Sequence, residues 1–169
     1  GSSYLVRTNL NSTFSSSVSS AIACIKAVLT DPDIPFNEGA ERAISVKIPY
    51  GSILNPKPPA PVRARLIPSY RVVNAVMGAL SQAVPERVIA PGFDTTSVSC
   101  LSHRKETGYN IYLEIFGGGF GAGPNNDGCD AVDSMLSNCS NIPIESMESD
   151  YPFFRVEDYS LRSTSGGDG

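Results

Sequence analysis

A strong strand signal that runs straight into a cluster of glycines restricts this chain more than any other feature. Tyr109-Asn110-Ile111-Tyr112-Leu113-Glu114-Ile115-Phe116 alternates β-branched and aromatic residues with polar ones, and Gly117-Gly118-Gly119-Phe120-Gly121-Ala122 follows at once. The first run suits a pleated, half-buried surface, whereas dense glycine lets backbone turn sharply and come close to a ligand or another segment. The fold therefore needs a sheet with a strand that exits through a bare main-chain corner. Asn125-Asn126-Asp127-Gly128 and Asn138-Cys139-Ser140-Asn141-Ile142-Pro143-Ile144-Glu145 come next, with amides and carboxylates that orient or activate polar substrates.

Periodicity elsewhere predicts an α+β fold: a single domain with a mixed β-sheet and two main helices packed on one face. Phe14, Val18, Ala21, Ile22, Ile25, Val28 and Leu29 recur at three- and four-residue steps after a Ser12 or Thr13 cap, and Pro32 ends that helix. A second helix is predicted from Ser69, with Tyr70, Val73, Val76, Met77, Leu80 and Val84 on one side and Pro85 as its stop. Its small residues Ala75, Gly78, Ala79 and Ala83 allow close packing against a neighbour. Strands are expected at Tyr4-Leu5-Val6-Arg7, over residues 43–48, at 87–90 and over 153–161. Residues 31–39 and 92–106 read as loops, and residues 55–61 as a proline-rich strap of polyproline character. A short helix is expected within 131–137 and a turn or short helix over 144–149.

Composition excludes several function classes. At 169 residues, 41% hydrophobic and 18% charged, the chain fits one cored domain. A net charge of −4 argues against a phosphate-backbone partner, since nucleic-acid binders display basic stripes. No apolar run reaches bilayer length and no signal-peptide pattern is present, so the chain is expected to be soluble and cytoplasmic. The triplets Asn11-Ser12-Thr13 and Asn138-Cys139-Ser140 are then chance matches to a glycosylation pattern. Cys24, Cys100, Cys129 and Cys139 form no C-x-x-C pair and read as free thiols, and His103 is the sole histidine. These donors do not make a self-contained zinc centre.

The glycine run matches known phosphate cradles only in part. Gly117, Gly119 and Ala122 meet a relaxed G-x-G-x-x-A spacing, but Pro124 and the Asn125–Gly128 turn interrupt where the helix should be under way. No G-x-x-x-x-G-K-S/T is present. The same glycines also serve a plainer purpose, a tight strand exit with close packing. His103, in Ser102-His103-Arg104-Lys105-Glu106, reads as an exposed hairpin-tip residue, and Cys100 and Cys129 as inert. Glu145, Glu148 and Asp150 face one pocket or form a solvated acidic face.

Gly51-Ser52-Ile53-Leu54-Asn55-Pro56-Lys57-Pro58-Pro59-Ala60-Pro61-Val62, Ala79-Leu80-Ser81-Gln82-Ala83-Val84-Pro85-Glu86-Arg87-Val88, the Gly117–Ala122 run with Asp127-Gly128, Asn138 with Asn141–Glu145 and Glu148, and Ser165-Gly166-Gly167 with Gly169 form an ordered set of segments. Taken together, they resemble the hydantoinase B/oxoprolinase family. The resemblance covers nearly the whole chain. It implies an internal fragment of a longer subunit that works with a hydantoinase A-type partner, separate or fused. ATP bound on that partner is thought to phosphorylate the amide oxygen of a hydantoin or 5-oxoproline so that water opens the ring. Related members carboxylate acetone or acetophenone, and a non-catalytic assembly scaffold is a further alternative. The resemblance places histidine- and aspartate-bearing metal motifs, and with them a divalent metal, in a portion of the family protein outside these residues. Family members also often carry histidines where this chain has Val132, Asp133, Ser134 and Met135. Within this frame the expected catalytic residues are Asp127 and Glu145. Substrate is expected to bind at Gly117, Gly118 and Gly119 through backbone donors, with Asn138 and Asn141 alongside, and no metal ligand is expected here.

Overall fold

The computed structural model describes residues 7–93, 97–133, 135–137 and 140–161. Its elements are α1 (Phe14–Leu29), α2 (Glu38–Glu41), α3 (Leu66–Leu80), a 3₁₀ turn (Pro85–Arg87), β1 (Ser97–Lys105), β2 (Gly108–Phe116) and α4 (Ile144–Asp150). The α+β class holds. Within it, the sheet formed by the described residues is one antiparallel hairpin, β1 with β2, rather than a mixed sheet. The two long helices pack on each other instead of on that sheet.

Local chemistry accounts for both ends of α1 and for the start of α3. The Thr13 hydroxyl accepts from the Ser16 amide at 3.3 Å and starts α1, supplying one donor group with the partner that helix geometry leaves missing. At the other end the Thr30 hydroxyl donates to the Lys26 carbonyl at 2.7 Å. Helix α3 begins three residues before Ser69. Pro68 falls in its first turn, where a missing N–H leaves no helical bond unmade, so it does not block the start.

The buried line of α1 differs from the predicted stripe. Ser17, Ser20, Ala21, Cys24 and Val28 face inward with Ile22, while Phe14 and Leu29 are exposed. Small side chains on this line let α3 approach, and Cys24 and Val28 meet Val73 and Met77 in the core. Burial pushes the Cys24 thiol up to about 11, so it stays protonated and inert. On α3 the small residues Ala75, Gly78 and Ala79 are exposed, as is Ala83 beyond the helix, and a Cβ added at Gly78 would meet no atom within 4 Å, a correction to the expected close contact.

Residues 43–48 keep the expected alternation, with Ile44, Val46 and Ile48 half-buried and Ser45 and Lys47 exposed, yet they join no ladder. The strands expected over 87–90 and 153–161 are likewise absent, and among the described residues of 131–137 there are turns at Ala131 and at 135–137 and no helix. The Tyr4–Arg7 strand falls outside the described residues except for Arg7. Conversely, β1 forms where a loop was expected, which places His103 inside a strand opposite Asn110 and stacked on Phe153 at 5.4 Å.

Buried polar side chains hold the proline strap across the starts of α1 and α3. The Asn11 amide group donates to the Thr8 carbonyl at 3.0 Å and to the Pro61 carbonyl at 3.1 Å, and the Ser17 hydroxyl donates to Leu54 at 2.8 Å. Asn11 is fully buried, which fits the chance reading of its glycosylation triplet. Asn11→Ala removes two hydrogen bonds made by a fully buried side chain, each worth about 1 kcal/mol net. The expected result is a loss of about 2 kcal/mol in a urea titration with unchanged slope; a loss under 1 kcal/mol contradicts the strap's role.

Candidate functional site

The glycine corner is built where three backbone segments cross. β2 delivers the chain to Gly117, and residues 117–123 then double back against residues 126–132 as an irregular hairpin. The Gly119 amide donates to the Val132 carbonyl at 3.0 Å, Phe120 to Cys129 at 2.9 Å, and Gly123 to Asn126 at 2.9 Å. The third segment, residues 90–93, lies across this pair: the Ala90 amide donates to Ala122 at 2.8 Å and the Phe93 amide to Gly119 at 3.0 Å.

Two positions show why glycine is needed. Gly119 has φ +116°, a conformation that side chains disfavour. At Gly118 a Cβ would collide with the Phe93 ring lying on it. Close packing of the crossing therefore accounts for part of the glycine content.

The remainder is an unmet hydrogen-bonding capacity. Gly117 is half-buried and Gly118 is exposed, and among the described residues neither amide has a hydrogen-bond acceptor. Gly119 is buried and its amide is engaged, so it is not an available donor. These two consecutive N–H groups are available to an oxyanion or a polarised carbonyl, each as a fixed main-chain donor.

Beside the corner lies a cavity of about 40 Å³ bounded by α3 and the crossing, with Tyr70, Asn74, Met77, Ile89, Phe120 and Met135 among its walls. Tyr70 is buried, and among the described residues its hydroxyl has no partner. In the sequence Tyr70 reads only as one apolar position of the α3 stripe. Its hydroxyl, a group that needs a partner when buried, is the signal that marks it.

The other predicted residues do not gather here. Asp127 is exposed at the tip of the irregular hairpin, at the far end from Gly117 and Gly118. Glu145 is exposed in the first turn of α4, and Asn141 accepts from the Tyr159 hydroxyl at 3.1 Å. Asn138 lies outside the described residues. Glu148 accepts from the Val156 amide at 2.7 Å, a structural bond that fixes the segment after α4. This segment and α4 cover one face of the sheet: Tyr112 packs among Met147, Tyr151 and Phe154 and donates its hydroxyl to Glu114. Burial first, and then Glu114, push that phenol up to about 12. Among the described residues no three His, Cys, Asp or Glu side chains come together to hold a metal ion, and no helix is long and apolar enough to cross a membrane.

Comparison with known proteins completes the picture. A profile of the family described as Hydantoinase B/oxoprolinase matches residues 1–169. A protein of Pseudomonas sp. (strain NS671), named as the B component of a D-/L-hydantoinase, is 36% identical over 86% of this chain and 25% of its own length. A 5-oxoprolinase of Dictyostelium discoideum is 33% identical over 100% of this chain and 12% of its own. The beta subunit of a caprolactamase from Pseudomonas jessenii is 33% identical over 80% and 24% respectively. The chain thus spans about a quarter or less of these relatives. No solved structure matches it.

Proposed function

The chain belongs to the hydantoinase B/oxoprolinase family, and from that premise we propose that it is an inner part of a cytoplasmic, ATP-dependent hydrolase that opens the ring of a cyclic amide. The named relatives act on hydantoins, 5-oxoproline and caprolactam by their names, and these compounds share a ring amide. Such an amide is a poor electrophile. Its opening places negative charge on the carbonyl oxygen, and fixed donors aimed at that charge are a large source of rate enhancement.

The observation that carries the proposal is the Gly117–Gly118 pair at the exit of β2, two adjacent amides that, like those of Gly121 and Ala122, find no acceptor among the described residues, whereas Gly119, Phe120 and Gly123 are bonded. The pair's role is to receive the reacting carbonyl oxygen. ATP binds on a hydantoinase A-type partner, and any divalent metal belongs to other parts of the complex. Asp127 and Glu145, both exposed and away from the corner, enter as carboxylates presented to the rest of that complex.

The test uses the complete gene product with its ATP-binding partner, supplied with hydantoin, 5-oxoproline and caprolactam in turn. Ring-opened product is followed by mass spectrometry and phosphate release is measured in parallel. One of the three rings is expected to open only when ATP and both proteins are present. Rings that all stay closed, or that open equally well without this gene product, overturn the proposal.

A further inference from the structure

Tyr70 and Asn74 stand four residues apart on α3, a spacing that sets both side chains on one face of the helix. Both line the cavity of about 40 Å³ beside the glycine corner, where the side chains of Val73, Met77, Ile89 and Phe120 supply apolar wall. Gly119 belongs to the wall too, so the wall begins one residue after the Gly117–Gly118 donors.

The two polar groups in this enclosure have bonding capacity to spare. Tyr70 is only 3% exposed, and its hydroxyl has no partner among the described residues. The half-buried Asn74 side chain likewise makes no hydrogen bond among them. A buried hydroxyl without a partner is costly enough that native proteins seldom carry one without a use. Phenylalanine would fill the same space without that cost, so packing alone does not call for tyrosine here.

Size and charge define what the cavity takes. One water-sized group needs roughly 10–15 Å³ of such space, so about three fit, which is part of a small molecule rather than the whole. Among the described residues no charged side chain lines the cavity, and a carboxylate brought there would lose hydration with no cation to offset it. A phenol hydroxyl donates or accepts, and a carboxamide does both. Together they match an uncharged group with its own acceptor and donor: a C(=O)–N–H unit, whose carbon, oxygen and nitrogen are three atoms. A hydrocarbon edge would leave both polar side chains unpaired, the circumstance in which a site discriminates most strongly.

We propose that Tyr70 and Asn74 set ring specificity by holding a second, non-reacting C(=O)–N–H unit of the cyclic amide while the reacting carbonyl lies at Gly117 and Gly118. This inference rests on the ring-opening reading above and narrows it. The substrate is an uncharged ring with two such units, as in hydantoin, in preference to a lactam with a hydrocarbon far edge or a ring bearing a carboxylate.

The experiment separates binding from turnover. The complete gene product with its ATP-binding partner is titrated calorimetrically, without ATP, with hydantoin, caprolactam and 5-oxoproline. The wild type is expected to bind hydantoin at least about tenfold more tightly than the other two. Tyr70→Phe and Asn74→Ala should each weaken hydantoin by about tenfold, as one lost hydrogen bond does, and leave caprolactam within about twofold. The melting temperature of unliganded Tyr70→Phe should hold level or rise, because the variant removes a buried hydroxyl that has no partner. A fall of more than about 3 °C would mean that the hydroxyl is bonded within the complete protein, and overturns the proposal. So does a hydantoin affinity within about twofold of wild type in either variant, equal weakening of caprolactam, tighter binding of caprolactam or 5-oxoproline, or no measurable binding of any ring. Adding ATP to the same mixtures keeps the two readings apart. Rings that bind in the expected pattern but stay closed refute the reaction and leave the subsite standing, whereas ring opening with an indifferent Tyr70→Phe refutes the subsite alone.

Discussion

Gly121→Ala is expected to cost about 3 kcal/mol, a drop in melting temperature of roughly 6–12 °C for a chain of this size. A Cβ at Gly121 would overlap the Ala90 carbonyl and come within 2.8 Å of the Pro91 oxygen. Both are main-chain atoms, and the Ala90 amide is tied to Ala122 at 2.8 Å, so neither can swing aside as a side chain would. Gly78→Ala is the matched control. It lies exposed in α3 with no atom within 4 Å of an added Cβ, and there alanine stabilises by about 0.5–1 kcal/mol through its helix propensity. Thermal melts of the two variants should therefore move in opposite directions. Equal shifts would contradict the crossing of residues 90–93 over the glycine run.

The largest effect on turnover is expected at Gly118. Its added Cβ strikes the Phe93 ring, which must either move or push the Gly117–Gly118 segment out of place. Removing one donor from an oxyanion site costs about 10²–10³ in kcat. Gly118→Ala in the complete complex should thus lose about a hundredfold in kcat with little change in KM, the pattern of an interaction made mainly in the transition state. Because the obstacle is a side chain, Phe93→Ala added to Gly118→Ala should restore at least about a tenfold share of the loss, a coupling that a double-mutant cycle measures. Less than a threefold loss in the single variant would remove the corner from the chemistry.

Much of the framework was legible because periodicity and end signals agree. The strong run ending at Phe116 became β2, and the pattern from Phe14 to Leu29, bounded by Thr13 and Pro32, became α1. What periodicity missed has a physical reason in each case. Ile44, Val46 and Ile48 do turn inward, but alternation reports which side faces the protein and is silent on whether a partner strand supplies hydrogen bonds. β1 was hidden because Ser97, Ser99 and Ser102 dilute its apolar content, and its pairing depends on β2 rather than on its own propensity. On α1 the most apolar line is not the buried one, since the approach of α3 buries Cys24 and the strap buries Ser17, while Phe14 and Leu29 stay exposed.

The candidate site divides along the same line. The glycine run marked the corner, because only glycine tolerates a crossing this close. Which of its amides remain available depends on carbonyls ten or more residues away: Val132 takes the Gly119 amide, while Gly117 and Gly118 find no acceptor among the described residues. No local pattern encodes that outcome. The scatter of Asp127 and Glu145 away from the corner likewise follows from the irregular hairpin and α4, which sequence spacing does not position.

The most direct measurement places ¹⁵N-glycine in the complete protein and follows the amide resonances during titration with the cyclic amide that the complex hydrolyses. The amide protons of Gly117 and Gly118 should move downfield and saturate together as they donate to the substrate carbonyl, while Gly119, already bonded to Val132, stays in place. If substrate binds and is turned over while Gly117 and Gly118 keep their free positions, the corner does not hold the reacting carbonyl.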